Sequence, residues 1–253
     1  MDAKRYPFLC GHAVIGAVTT TIELGIIPAD DGLKPVTVDT PSGQVHASAT
    51  VTKGLVDEVS IEMVPAFVGS TDCRLTMNNG KHIIVDLVCV GGYFAMVDVA
   101  GLNLPLNNEH HRQLIGLGME IIEKANEQLV ITHPTRIDVR TVDVVEFYDS
   151  RHDVNTPGSS IVILGEGHMD RSPCGTGTTA KMTLFHHKGL LPLTQQYINT
   201  SPLGTTFKGR LIKKTTIGEV EAVVAEITGS AYLTGRHEFV VDPRDPFPKG
   251  YLL

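Results

Sequence analysis

The chain has 253 residues, 42 % of them hydrophobic and 19 % charged, with a formal net charge of −7. That is enough for one large domain or two modest ones, and the acidic balance without any basic block or stripe excludes a phosphate-binding, nucleic-acid surface. No apolar run approaches a membrane span, and the opening residues lack a signal-peptide layout because His12 interrupts the apolar stretch. No membrane or nucleic-acid partner and a cytoplasmic location are therefore expected.

In chain order, Cys10-Gly11-His12 opens a run, AVIGAVTTTIEL, that reads as a helix ending at Gly25. Residues 36–47 read as a hairpin around a Pro-Ser-Gly turn, and 55–68 and 82–90 continue the strand signal. The near-continuous apolar run IIVDLVCV suits a strand covered on both faces, after which Gly91-Gly92 punctuates the chain. Residues 109–128 form the clearest amphipathic helix, with Leu114, Leu117, Ile121 and Ile122 on one face. Strands are expected at 137–147 and 161–164, a polar loop at 150–158, a helix at about 176–188, and strands again at 207–214, 219–228 and 238–241. The class is α+β, rich in strands with few helices.

None of the four cysteines, Cys10, Cys73, Cys89 and Cys174, lies in a C-x-x-C pair, so a zinc knuckle is disfavoured and free thiols are expected. Two of them share a context. Cys10-Gly11 and Cys174-Gly175 each stand at the start of an apolar or small helical run, and each run is closed by a glycine, Gly25 or Gly189. Ser172 could cap the second helix, with Pro173 at its first turn. Helices apolar nearly all round are buried in the middle of their domains. A helix N-terminus lowers a thiol pKa from about 8.5, and its free N–H groups bind anions such as a carboxylate. Two such ends facing one another would hold one carboxylate with a sulfur on either face of the adjacent carbon, which suits inversion at that carbon by one thiolate base and one thiol acid.

Plainer readings stand beside this one. A lone cysteine before a helix is equally a small core residue, and Cys89 and Cys73 are read as structural. CGTGTT resembles part of a phosphate loop but lacks the Walker spacing and lysine. His110-His111 and His186-His187 are neighbours that cannot face the same side of a helix, so no metal site is expected.

At DRSPCGTGTTA, residues 170–180, the sequence resembles the second cysteine motif of the proline racemase family, which includes hydroxyproline 2-epimerases; Cys10-Gly11-His12 is similar to the first. VDTPSGQV, VCVGGYFAMVD, SPLGTTFKGRL and GSAYLTGRHEFVVDPRDPF extend the likeness over nearly the whole chain. The resemblance implies two pseudo-symmetric α/β domains of the diaminopimelate-epimerase-like type, each a strongly curved sheet around a central helix. It implies a homodimer and an amino-acid substrate with no cofactor. It carries Cys10 and Cys174 over as the acid/base pair. The backbone at Gly11, His12, Gly175 and Thr176 would bind the carboxylate, and Asp170 with the His12 side chain would hold the amine. A turn pairing with Arg171 is the structural alternative for Asp170. Relatives with Thr in place of Cys174 resemble 3-hydroxyproline dehydratases, which makes that activity the alternative.

Two departures bear on the reading. Only nine residues precede Cys10, whereas the family has a long stretch there that lines the pocket. Internal symmetry calls for strands ahead of the first helix, as residues 137–164 precede the second. Residues 1–100 would then be the remainder of the first half, 101–240 the second half, and 241–253 a segment returning to the first. The first helix is expected to leave one apolar flank in water, and a catalytically impaired or ligand-binding fragment is a further alternative. Leu164 stands where proline-specific members resemble Phe, and its smaller side chain leaves room for a ring substituent, tilting the expectation toward hydroxyproline.

Overall fold

The computed structural model describes residues 9–40, 43–102, 104–151, 153–248 and 250. The hairpin is present as β1 (Gly32–Thr40) and β2 (Gly43–Thr52), antiparallel with Thr40 opposite Gly43; its Pro41-Ser42 turn lies outside the described residues. The expected strand at 55–68 is two strands, β3 (Leu55–Glu62) and β4 (Ala66–Thr76). The break at Met63-Val64-Pro65 fits proline, which has no N–H to give to a ladder.

The apolar run at 82–90 is β5 (His82–Val90). Ile83, Val85, Leu87 and Cys89 enter one core cluster while Val88 and Val90 enter the other, so both faces of the strand are covered. Past Gly91 the chain turns straight back as β6 (Gly92–Asp98), a strand the punctuation concealed. β7 (Val142–Tyr148) is shorter than expected, since residues 137–141 are not strand. β8 (Gly158–Leu164), the short β9 (His168–Met169), β10 (Tyr197–Thr200), β11 (Thr206–Ile217) and β12 (Val220–Gly229) complete the strands.

The strands run β1-β2-β3-β12-β11-β10-β8-β7-β6-β5-β4 across one sheet. β12 is the seam. Its end, Glu226–Gly229, pairs with Glu62–Val59 of β3, Met63 N–H donates to Ala225 C=O, and Val223 pairs with Ala66 of β4. β3 and β4 thus follow each other along a single strand, and the contact with β4 closes β4–β8 and β10–β12 into a barrel. The fold is therefore mixed α+β, a closed barrel-like sheet with few helices.

α1 (Gly11–Glu23) packs on β2, β3 and β12. Val14, Ile15, Val18 and Ile22 are all buried there, contrary to the expectation that several of them would meet water. The side it turns outward carries His12, Ala13 and Ala17. α2 (His111–Gln128) lies on the outer face of the barrel, with Leu114, Gly118, Ile121 and Ala125 buried.

α3 (Gly175–His187) packs against β4, β5, β6, β11 and β12. Its sequence, GTGTTAKMTLFHH, is poor in helix formers. Burial of Met182, Leu184 and Phe185 compensates, at roughly 1.5–3 kcal/mol for each side chain. The buried hydroxyls of Thr178, Thr179 and Thr183 donate to the carbonyls of Pro173, Gly175 and Thr179, so they add no unsatisfied polar group to the core.

The strand expected at 238–241 is not formed. Phe239, Val240 and Val241 are 90 %, 84 % and 71 % exposed, with no strand beside them. Alternating apolar residues make a strand only where a neighbour takes up their N–H and C=O groups. No described helix is long and apolar enough to cross a membrane.

Candidate active site

The two cysteine motifs, 164 positions apart in sequence, come together in space. Cys10 is the N-cap of α1, with extended backbone (φ −128°, ψ 98°), and Cys174 is the N-cap of α3. The helices meet end against end. A Cβ placed on Gly11 would lie 3.2 Å from Gly175 Cα, and one placed on Gly175 would lie 3.2 Å from Gly11 Cα. The glycine after each cysteine is thus what permits the contact, because any side chain there would force the backbones apart. The first N–H groups of a helix have no intrahelical acceptor, so Gly11, His12, Gly175 and Thr176 present theirs at this junction, with both positive dipole ends converging on it.

A chain of polar contacts joins the motifs. His12 Nε2 lies 3.4 Å from Cys10 Sγ, and His12 Nδ1 lies 3.0 Å from Ser172 Oγ. Ser172 Oγ accepts from the Cys174 N–H at 3.0 Å. Asp170 is buried; its Oδ1 accepts from the Ser172 N–H at 2.8 Å, and its Oδ2 lies 3.8 Å from His12 Nδ1. Asp170 therefore shapes the turn before Cys174 and also faces His12. Ser172 is not the helix cap that its spacing led us to expect. Cys174 caps α3 itself, its sulfur accepting from the Gly177 N–H at 3.3 Å, with Thr176 Oγ1 3.5 Å away. Cys174 has φ of 58°, a left-handed conformation that non-glycine residues rarely adopt and that tends to occur at functional sites.

The two thiols are biased in opposite directions. At Cys10, burial resists ionisation, but the hydrogen bond and charge of His12 and the Ala13 N–H outweigh it, and the pKa falls below the ordinary thiol value. The hydrogen bond to Cys10 correspondingly raises His12, against its partial burial. At Cys174, burial, Asp170 and Glu146 together push the pKa well above the ordinary value. The surroundings thus ease ionisation of the Cys10 thiol and resist it at Cys174.

Leu164, at the end of β8, is on the same strand face as Val162 and packs with it in one core cluster. Val162 lies against Gly177 in the first turn of α3, 3.1 Å from where a Cβ would be. The remaining cysteines are apart from this junction. Cys89 is buried in β5 with its thiol pushed up to about 12 by burial. Cys73 on β4 is half-buried beside Ser70. Sequence reasoning missed Ser172 as the link between motifs, and missed Glu146 altogether. The charge inside the otherwise apolar strand VDVVEFY was the available signal for Glu146.

Two helix N-termini converge here, each with a cysteine at its N-cap position and the two thiols biased oppositely in ionisation, an arrangement that can support acid/base chemistry. The family described as proline racemase matches residues 1–252, and the chain belongs to that family. It is 38 % identical to a proline racemase of Clostridioides difficile over 253 residues, the whole of this chain and 76 % of that protein. It is 35 % identical to a 4-hydroxyproline 2-epimerase of Streptosporangium roseum, over 97 % of this chain and 73 % of that one. A trans-3-hydroxy-L-proline dehydratase of Bacillus cereus is 31 % identical over all of this chain and 75 % of its own. Among solved structures, a probable proline racemase from Agrobacterium radiobacter with bound carbonate superposes with a TM-score of 0.90 at 28 % identity, covering 100 % of this chain and 74 % of that one. A hydroxyproline epimerase from Agrobacterium vitis with bound trans-4-hydroxy-L-proline gives 0.86 at 30 % identity, covering 95 % and 69 %.

Proposed function

We propose that this chain is a cofactor-independent amino-acid racemase or epimerase that inverts the α-carbon of proline or hydroxyproline with Cys10 and Cys174 as its two acid/base groups. The observation that carries the reading is the meeting of the two cysteine-capped helix ends at Gly11 and Gly175. The backbone N–H groups of Gly11, His12, Gly175 and Thr176 would hold the substrate carboxylate, and Asp170 with the His12 side chain would hold its amine. The Cys10 thiolate takes the α-proton, the electron pair of the broken C–H bond is delocalised into the carboxylate, and the Cys174 thiol protonates the opposite face. One proton enters and one leaves, so Cys10 ends as thiol and Cys174 as thiolate. The reverse reaction starts from that state.

Leu164, at the end of β8, would leave room for a ring substituent, which favours hydroxyproline over proline. The two-cysteine arrangement also favours inversion over dehydration, which needs no second acid. A pseudo-symmetric pair of halves, divided near residue 100, a homodimer and a cytoplasmic location belong to the same reading. The test is conversion of L-proline and of trans-4-hydroxy-L-proline to their α-epimers, followed by chiral chromatography. Turnover of either supports the assignment. A dehydrated imino product, or no α-proton exchange from either compound, would replace it with the dehydratase or the ligand-binding reading.

A further inference from the structure

Directly behind Cys174 lies a charge that the mechanism above does not use. Glu146 on β7 has no measurable exposure, and among the described residues neither of its carboxylate oxygens has a hydrogen-bond partner of good geometry, although the Ser160 hydroxyl is close enough to favour its charged form. A buried, unsatisfied carboxylate costs stability, so its retention calls for an explanation. A compensating charge comes from Lys181 of α3, also fully buried, with Nζ 3.9 Å from Oε1. Yet the Lys181 hydrogen bonds go elsewhere, to Asn199 Oδ1 at 2.6 Å and Ser159 C=O at 3.3 Å. Asn199 Nδ2 in turn lies 2.9 Å from Ser160 Oγ, Thr178 Oγ1 and the Pro173 carbonyl, which fixes the chain entering Cys174.

The position of Glu146 is specific. A Cβ built on Gly177 would be 2.6 Å from Glu146 Oε2 and 3.2 Å from Cys174 Cβ. The carboxylate thus sits in the space that Gly177 leaves open, against the same helical turn whose N–H the Cys174 sulfur accepts. Resting on the two-cysteine reading, we propose that Glu146 is a positioning residue whose buried negative charge holds Cys174 in the thiol form, so that the resting protein has Cys174 as acid and Cys10 as base.

The charges around Cys174 are consistent with this role. Asp170 precedes it in the loop and acts in the same direction as Glu146. Lys181 tempers Glu146 from one helical turn further along α3, and His12 on α1 is engaged with Cys10 and Ser172. Tyr148 and Tyr197 are both held neutral, mainly by burial, with Glu146 adding to the effect. Burial alone drives Glu146 toward its neutral form and Lys181 toward its own, while each partner's charge opposes this.

The experiment compares Glu146→Gln and Glu146→Asp with the parent chain. The rate of Cys174 alkylation by iodoacetamide is followed against pH by peptide mass mapping, beside the pH profile of racemisation. Loss of the charge in the Gln variant is expected to move the Cys174 midpoint down by about one pH unit, roughly tenfold faster alkylation at pH 8, and to lower the alkaline limb of turnover equally. The Asp variant keeps the charge and should stay near the parent. If unpaired Lys181 prevents the Gln variant from folding, Glu146→Gln with Lys181→Gln removes both charges and should shift the midpoint in the same direction by less. An unchanged Cys174 profile in a folded variant would overturn the role of Glu146. Racemisation surviving Cys174→Ala would instead overturn the two-cysteine reading, so the two failures are distinct.

Discussion

The imidazole Nδ1 of His12 lies 3.0 Å from the hydroxyl of Ser172, which also accepts the Cys174 N–H, so one serine connects the Cys10 motif with the Cys174 motif. Because Nε2 of the same ring contacts Cys10 Sγ at 3.4 Å, the ionisation of Cys10 depends on a residue of the other motif. Ser172→Ala should therefore loosen the ring, raise the Cys10 pKa and shift the acid limb of kcat/KM upward. Folding should be altered by about 1 kcal/mol, the usual worth of one hydrogen bond. Unchanged limbs in a pH–rate profile would show that the ring is held in some other way.

Replacing either Cys10 or Cys174 with Ser should reduce racemisation by at least about 100-fold, since an alcohol cannot serve as the base and general acid–base catalysis contributes about that much or more. Cys73→Ser should leave the rate within about twofold. Cys89→Ser would put a hydroxyl into the apolar core cluster of β5 and lower the melting temperature without touching the chemistry. Chiral chromatography and thermal melting on the four variants check this. Loss of activity in Cys73→Ser alone would reverse the assignment.

The pH dependence follows from the two biased thiols. Cys10 has a lowered pKa, so its thiolate persists below the ordinary thiol range and is lost as the pH falls through that lowered value. Cys174 has a raised pKa, so its acidic proton survives to well above that range. Activity should therefore form a broad plateau. Iodoacetamide should modify Cys10 at a lower pH than Cys174, and pyrrole-2-carboxylate should protect Cys10. Equal midpoints for the two cysteines would contradict the electrostatic account.

The close approach of the helix ends is sensitive to a single methyl group. Gly11→Ala or Gly175→Ala would place a carbon 3.2 Å from the opposing Cα, where both neighbours are backbone and cannot rotate away. Overpacking of this kind costs about 1–3 kcal/mol, and the widened junction should raise KM for the amino acid more than it lowers the melting temperature. Gly16→Ala, with open space around its Cβ position inside α1, is the matched control and should leave KM unchanged without lowering the melting temperature.

How much of this was legible in the sequence depended on whether the cause was local. The Cys-Gly openings of α1 and α3, the two-faced burial of β5 and the amphipathic α2 each follow from a short stretch of residues, and all could be read directly. Ser172 could be read as a cap but not as a bridge, because its partner His12 is 160 positions away. Glu146 was missed because its significance comes from Gly177 of α3, distant in sequence, lying over its carboxylate. β6 was hidden by Gly91-Gly92, which marks a tight turn between paired strands. Residues 238–241 were misread because alternation alone cannot supply a neighbouring strand. The flank of α1 was expected to be wet, yet Val14, Ile15, Val18 and Ile22 are covered by β2, β3 and β12, an arrangement that only the long-range pairing of β3 with β12 creates.

The central claim, two cysteines acting on opposite faces of one carbon, is tested most directly by the position of the label when the reaction runs in deuterated water. With L-proline or trans-4-hydroxy-L-proline, early product should carry deuterium at the α-carbon while recovered substrate keeps its hydrogen, because the group that removes the proton is not the group that delivers one. Equal early labelling of product and recovered substrate would mean that a single base serves both faces, and would contradict the account.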